Sequence, residues 1–430
     1  MLLTISSPNN IRSLAILGLS LVLILLTLSL TKYHTGNYIP VHDGHHRQLQ
    51  AEKHFSYETD SASSLGNYKT SSGKCQPVHH IMFVKTHKCA STSIQNVLLR
   101  YGHRNNLTFV IPPFSNNLGE FDKFEKFHPS LALPLPSECG NEYGIFTHHA
   151  RYNKDIIPRI MPKDSVYISI LREPAAMYQS IWTFFSLHLR FSAPLEEFVK
   201  NPRLYYFNES NHRSLQFGRN PIMSDFGLEK EDFDNLTVIK ETINYIDKHF
   251  SLIMISHQMD ESLVLLRELL CWEWDDVVVF HLNRQSKHLP VELTEKVTSD
   301  ILAWNSADNL LYQHFLAKFE EKKSIYGKER MKDDLQKLRS LRKAWERKCF
   351  AGHLIDKTNQ PGSSTTINEE CQYFCMDELE FTDRIRAKLW PNYGSQPHYR
   401  GRKGKNAQMF DKNFCDEVWE FGYGDTANLI

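Results

Sequence analysis

Apolar and polar positions along this chain switch repeatedly between a period of two and a period near 3.6. Residues 80–84 (HIMFV) have strand character, a basic loop follows, and Ile94, Val97, Leu98 and Tyr101 then recur on one helical face. Residues 143–147 (YGIFT) predict a short buried strand, and 165–171 (SVYISIL) predict another. The second runs through Arg172, Glu173 and Pro174 into a helix over 175–185, with Pro174 suited to the first helical position. A strand at 252–256, a helix capped by Asp260 with Leu263, Leu266 and Leu270 inward, and a strand at 277–282 give a third unit. This βαβ order predicts an α/β fold, a mostly parallel sheet flanked by helices. Leu311, Phe315 and Phe319 mark a helix within 304–319, and 328–348 predicts a solvated, charged helix packed along Met331, Leu335, Leu338, Leu341 and Trp345. Beyond 351 the periodicity fades, and the basic run 400–405 receives no assignment.

The N-terminus changes the picture. Residues 13–31 are 19 consecutive uncharged, mostly apolar positions between Arg12 and Lys32, enough for a helix to cross a bilayer. A cleaved signal peptide is the alternative, but its apolar region is normally about 7 to 15 residues. The reading is therefore a cytoplasmic tail (1–12), a transmembrane signal anchor (13–31), a flexible luminal stem (32–74) poor in aliphatic residues, and a luminal domain (75–430). Asn106, Asn208 and Asn235 head N-x-[ST] sequons, which favour the lumen for everything after the anchor. Of eight cysteines, several are expected to pair there, with connectivity open. Cys371 and Cys375 form a C-x-x-x-C without a second pair, so no zinc site is expected. Lys plus Arg equals Asp plus Glu at 50 each, so no global charge draws the chain to nucleic acid, and any anion site must be local.

The loop after the first strand is such a site. Backbone N–H groups at a helix start have no intrahelical partner and carry the positive end of the helix dipole. Lys85 and Lys88 add full charges, and Ser91, Thr92 and Ser93 can cap the helix or donate to phosphate oxygens. The plainer alternative is a capped helix with two solvated lysines. A nucleoside triphosphatase loop needs G-x-x-x-x-G-K-[ST]; this loop has no glycine, which favours a different phosphate cradle. Adjacent His148 and His149 follow the 143–147 strand and point in opposite directions, so one of them can face a crevice at the C-terminal strand ends and act as general base. The alternative is a pair of surface histidines among the 21 in the chain.

The run K-x-A-S-T-S after a strand resembles the 5′-phosphosulfate loop of Golgi carbohydrate sulfotransferases, which use 3′-phosphoadenosine 5′-phosphosulfate (PAPS). KTHKCAST (85–92), HHAR (148–151) and DESLVLLRELLCW (260–272) resemble the galactose 3-O-sulfotransferase family, including its galactosylceramide sulfotransferases. Cys89 stands where that pattern usually has threonine. The resemblance, over about 80–345, implies a P-loop-like sulfotransferase fold in a single-pass type II Golgi membrane enzyme. It implies sulfuryl transfer from PAPS to the 3-hydroxyl of a terminal β-galactose on a glycolipid or glycan. Lys85, Thr86, His87, Lys88, Cys89, Ala90, Ser91, Thr92 and Ser93 would hold the 5′-phosphosulfate. Arg172 and Ser180, eight residues apart, would hold the 3′-phosphate. Lys88 would meet the leaving oxygen, and His149, ahead of His148, would take the hydroxyl proton; no metal is required. Asn283, Arg284, Ser286 and Lys287 resemble a further donor contact. A kinase or nucleotidase with related phosphate turns would need a metal-binding carboxylate after a strand, whereas a catalytically silent glycan-binding protein would keep the fold without turnover.

Overall fold

A computed structural model describes residues 75–119, 125–136, 142–209, 212–280, 293–355 and 369–390. All of them fall in one compact unit, Ser63–Ile430. The expected anchor (13–31), the stem, 283–287 and 400–405 lie outside the described residues. Among the described residues no helix is long and apolar enough to cross a membrane.

Among the described residues, five parallel strands form the sheet, in the order β2-β3-β1-β4-β5. They are β1 (Ile81–Val84), β2 (Phe109–Val110), β3 (Ile145–Phe146), β4 (Val166–Leu171) and β5 (Leu252–Ile255). β1 and β5 are buried along their whole length, which is why they read as continuous apolar runs rather than alternating ones. The first of the described strands lies at the centre. Ile81 is level with Ile145 of β3 on one side and Val166 of β4 on the other. The chain turns to opposite sides of β1 for its later strands, so the C-terminal ends of β3, β1 and β4 line one crevice.

Helix α1 (Ser91–Arg104) buries Ile94, Val97, Leu98 and Tyr101, as their spacing predicts, and Tyr101 stacks on Trp272 at 3.6 Å. α2 (Pro174–Phe184) follows β4, α3 (Pro221–Asp225) is a short buried turn, and α4 (Leu236–His249) leads into β5. α5 (Met259–Leu270), α6 (Glu295–Trp304), α7 (Ser306–Tyr326) and α8 (Lys328–Ile355) complete the main body.

Two local expectations are corrected. Asp260 does not cap α5, whose N-cap is Gln258; the Asp260 carboxylate instead receives Arg339, at 2.8 Å, and Arg342, both from α8. The run from Val277 is no strand where it is described: 274–277 form a 3₁₀ turn, and Val278 and Val279 are buried outside the sheet. An unbroken apolar run specifies burial, and here a packed loop satisfies it, with Arg100 donating to the Val278 carbonyl at 2.5 Å.

Past the fading periodicity the chain forms α9 (Glu369–Cys375) and α10 (Glu378–Leu389). Phe381 and Ile385 of α10 are buried, and Arg386 donates to the carbonyls of Pro112 and Ser115. Two disulfides lie among the described residues. Cys75–Cys271 ties the approach to β1 to the end of α5, and Cys349–Cys371 ties α8 to α9.

Candidate active site

The turn between β1 and α1 reverses direction without a glycine. Lys88 (φ 58°) and Ala90 (φ 61°) both take the left-handed conformation, at about 1–2 kcal/mol each. No side chain caps α1, contrary to expectation. Ser91 turns back and donates its hydroxyl to the Thr86 carbonyl at 2.6 Å, while Thr92 and Ser93 stay half exposed. Among the described residues, the N–H groups of residues 88–92 meet no acceptor. Open donors in succession on a turn with left-handed residues at 88 and 90 form a concavity for an anion, and the helix dipole adds to it.

The residues below this turn are structural anchors. Lys85, expected beside the anion, is buried and ion-paired to Glu378 of α10 at 2.5 Å. Burial lowers its pKa, and Glu378 opposes that shift. Thr86 donates its hydroxyl to the Ile170 carbonyl of β4 at 2.5 Å. Cys89 is buried with its thiol donating to the His87 carbonyl at 3.3 Å, and burial pushes that thiol up to about 12. The side chain at 89 therefore faces inward, and the departure from threonine removes no contact from the crevice.

Lys88 is the lysine that faces outward. Its Nζ sits 3.9 Å from the centre of the Phe184 ring, which is 62% exposed at the end of α2. Burial and the neighbouring Arg172 lower its pKa. Arg172 leaves the end of β4 and donates to the Lys88 carbonyl at 3.3 Å, which joins the two anion turns. Glu173 caps α2 through the N–H groups of Ala175 and Ala176, and Ser180 lies on the same helix, mostly buried.

At the end of β3 the two histidines diverge, as adjacent strand residues must. His148 is fully buried and bonded to Thr382 of α10 at 2.9 Å; burial drives its pKa down to about 4. A group enclosed in this way has no path to a sugar hydroxyl, so its candidacy as base is withdrawn. His149 faces the crevice. Its Nδ1 lies 3.0 Å from the Lys85 carbonyl, an oxygen that can only accept, so the proton sits on Nδ1 and the lone pair on Nε2. Burial holds its pKa well below the usual 6.5, helped by Lys85 and His87.

His87 stacks on His149 with ring centres 4.1 Å apart. Both its N–H and its Nδ1 face the Asp225 carboxylate, at 2.9 and 2.8 Å. Asp225 had no signal in the sequence, because it lies in an unmarked PIMSD run on α3. Its position is built from elsewhere. Asn220 exchanges hydrogen bonds with Asn305 and the start of α7, and the Asp308 carboxylate accepts the N–H groups of Ile222 and Met223. Gly227 (φ 86°) then turns the chain so close to the Tyr152 carbonyl that a Cβ would lie 2.1 Å from that oxygen. Glu378 and Thr382 were also missed, for want of periodicity after 351. The three sequon asparagines are exposed, and Asn235 caps α4 through its side-chain oxygen.

The chain is similar to known proteins along most of its length. Human galactosylceramide sulfotransferase is 33% identical over 294 residues, covering 66% of this chain and 68% of its own. Human galactose-3-O-sulfotransferase 2 is 29% identical over 346 residues (73% and 85%), and mouse galactose-3-O-sulfotransferase 3 is 32% identical over 345 (72% and 77%). A family model for galactose-3-O-sulfotransferases matches residues 7–370. With that span carrying both anion turns and the histidine pair, the chain belongs to the galactose-3-O-sulfotransferase family.

Proposed function

We propose that this chain is a sulfotransferase that moves the sulfuryl group of PAPS to the 3-hydroxyl of a terminal β-galactose, with a galactolipid of the galactosylceramide type as the favoured acceptor. The observation that carries the reading is the contact between the two turns. Arg172 donates to the carbonyl of Lys88 at 3.3 Å, so an open nest of N–H groups and a guanidinium lie side by side at two adjacent strand ends. Residues 88–92 suit a phosphosulfate, and Arg172 with Ser180 suits a second phosphate, which a guanidinium can bind bidentately.

Within that site, Lys88 meets the negative charge that builds on the departing phosphate oxygen. The bond from sulfur to that oxygen breaks as the bond from sulfur to the sugar oxygen forms. His149 takes the hydroxyl proton at Nε2, its tautomer fixed by the Lys85 carbonyl. Its depressed pKa keeps it neutral in a mildly acidic lumen. A second reading of the proton acceptor rests on Asp225, which holds the Nδ1 of His87 as a carboxylate orients imidazole in hydrolytic triads. The irregular segment after β2 passes His149, where Leu118 donates to its carbonyl at 2.7 Å, and is suited to form an acceptor wall.

The disulfides, the three exposed sequons and the apolar run 13–31 support a Golgi membrane enzyme anchored by 13–31, with a stem over 32–74 and a luminal domain from 75. The test is transfer of radiolabelled sulfate from PAPS to galactosylceramide, lactosylceramide and N-acetyllactosamine glycans by the membrane-solubilised full chain. Labelled product with galactosylceramide as the best acceptor is expected. No labelled galactoside, with glycan binding retained, identifies a silent binding protein instead; stabilisation by ATP rather than by 3′-phosphoadenosine 5′-phosphate (PAP) identifies a kinase.

A further inference from the structure

The family match ends at residue 370, and α10 begins at Glu378. Three side chains of that helix nevertheless pack beneath the crevice, against Lys85, His148 and the segment after β2. Glu378 pairs with Lys85 at 2.5 Å, with side-chain exposures of 12% and 0%. Thr382 lies one turn on: its hydroxyl donates to the Glu378 carbonyl at 2.6 Å and receives the Nε2 proton of His148. Arg386 holds the carbonyls of Pro112 and Ser115, in the segment that continues to the backbone of His149 through Asn117 and Leu118.

Lys85 is central to this arrangement because its two ends serve different partners. Its ammonium is anchored by Glu378, and its carbonyl accepts Nδ1–H of His149. Buried ion pairs contribute little to net stability and are often replaced by apolar pairs without loss. This one anchors the side chain of the residue whose carbonyl accepts Nδ1–H of His149. We infer that Glu378 is a positioning residue for sulfuryl transfer: α10, beyond the matched span, sets His149 through the Lys85 backbone. The inference rests on the assignment of His149 above.

The test compares full-length wild type with the charge-free double variant Lys85→Met/Glu378→Leu, reading the melting temperature, kcat, the acceptor KM and PAP affinity. Apolar replacement of both partners is expected to keep the melting temperature within a few degrees. The same variant is expected to lower kcat by about 10- to 100-fold with PAP affinity held, as displacement of a catalytic group does. A double variant that melts like wild type and keeps kcat within about twofold overturns the inference.

Where that variant does not fold, Glu378→Gln decides. Without its counter-ion Lys85 tends to lose its proton, which relieves part of the downward pressure on His149 alongside His87 and His148. The acid limb of the kcat profile should move to higher pH. A profile and kcat equal to wild type overturn the inference, as does loss of folding in both variants, which would place Glu378 in the fold alone. His149→Ala separates the two readings. An active His149→Ala removes the base assignment itself, whereas an inactive one beside a fully active double variant removes only the role of Glu378.

Discussion

Lys88 offers the sharpest test of the site, because its backbone and its ammonium can be perturbed separately. Its φ of 58° is a conformation that glycine adopts freely and other residues take at about 1–2 kcal/mol. Its ammonium stands over the Phe184 ring beside Arg172, where desolvation and like charge both weigh against it. Lys88→Ala removes the charge and keeps the strained backbone; Lys88→Gly removes both. Neither truncation leaves a buried charge unpaired, so stability should hold. The glycine variant should equal or exceed the alanine variant by up to about 1 kcal/mol after its larger chain entropy is counted. Loss of one preorganised group facing developing charge costs about 2.7–4 kcal/mol, or about 100- to 1,000-fold in kcat. Both variants should show that loss equally in the radiolabelled transfer assay, with acceptor affinity unchanged in a direct binding measurement. Activity restored by glycine alone would mean that the turn's shape matters and the ammonium does not. A loss of less than about fivefold in both variants would refute the role given to Lys88.

Arg172→Lys keeps the charge but loses the planar fork and the bond to the Lys88 carbonyl, so PAP affinity measured by calorimetry should weaken about tenfold or more. His149→Ala should lower kcat by about 100- to 10,000-fold with little change in PAP affinity. In the wild type the acid limb of kcat should fall well below pH 6.5, because burial depresses the pKa of this imidazole and the neutral form is the active one. Asp308 is raised from 3.8 to about 7 by burial, so between those values the folded chain binds a proton that the unfolded chain does not. Stability should therefore rise as pH falls from 7 towards 5, and Asp308→Asn should flatten that slope in denaturant titrations. Removing the Cys75–Cys271 bridge, which closes 196 residues, should cost up to about 5 kcal/mol by the chain-entropy relation, read as a lower denaturation midpoint.

The parts of the fold legible in the sequence were those with a strong period or an uninterrupted apolar run. β1, β3, β4 and β5 all lie within their expected spans, as do the inward residues of α1. The basic turn was legible because a strand, a loop and a helix start occur in immediate succession. What sequence reasoning could not assign was the direction of each side chain within the turn. Lys85 and Lys88 look alike in a string of letters, yet three residues of tight turn send one into the core and the other outward. Asp225 and Glu378 were invisible because they meet the residues of the turn across 138 and 293 residues of separation, by tertiary packing rather than local pattern. The expected cap of α1 failed for a related reason: the Ser91 hydroxyl is taken by the Thr86 carbonyl, and the helix N–H groups stay open.

The central place of β1 bears on how the chain acquires its shape. β1 precedes the other described strands in the chain, yet its two neighbours are β3, ending at Phe146, and β4, ending at Leu171. Until those arrive, both hydrogen-bonding edges of an entirely apolar segment are unsatisfied, and distant pairings of this kind form slowly. A nascent chain halted before β4 thus exposes a sticky ribbon that the finished molecule conceals. Truncations in that interval should be the ones most prone to aggregate and to engage chaperones.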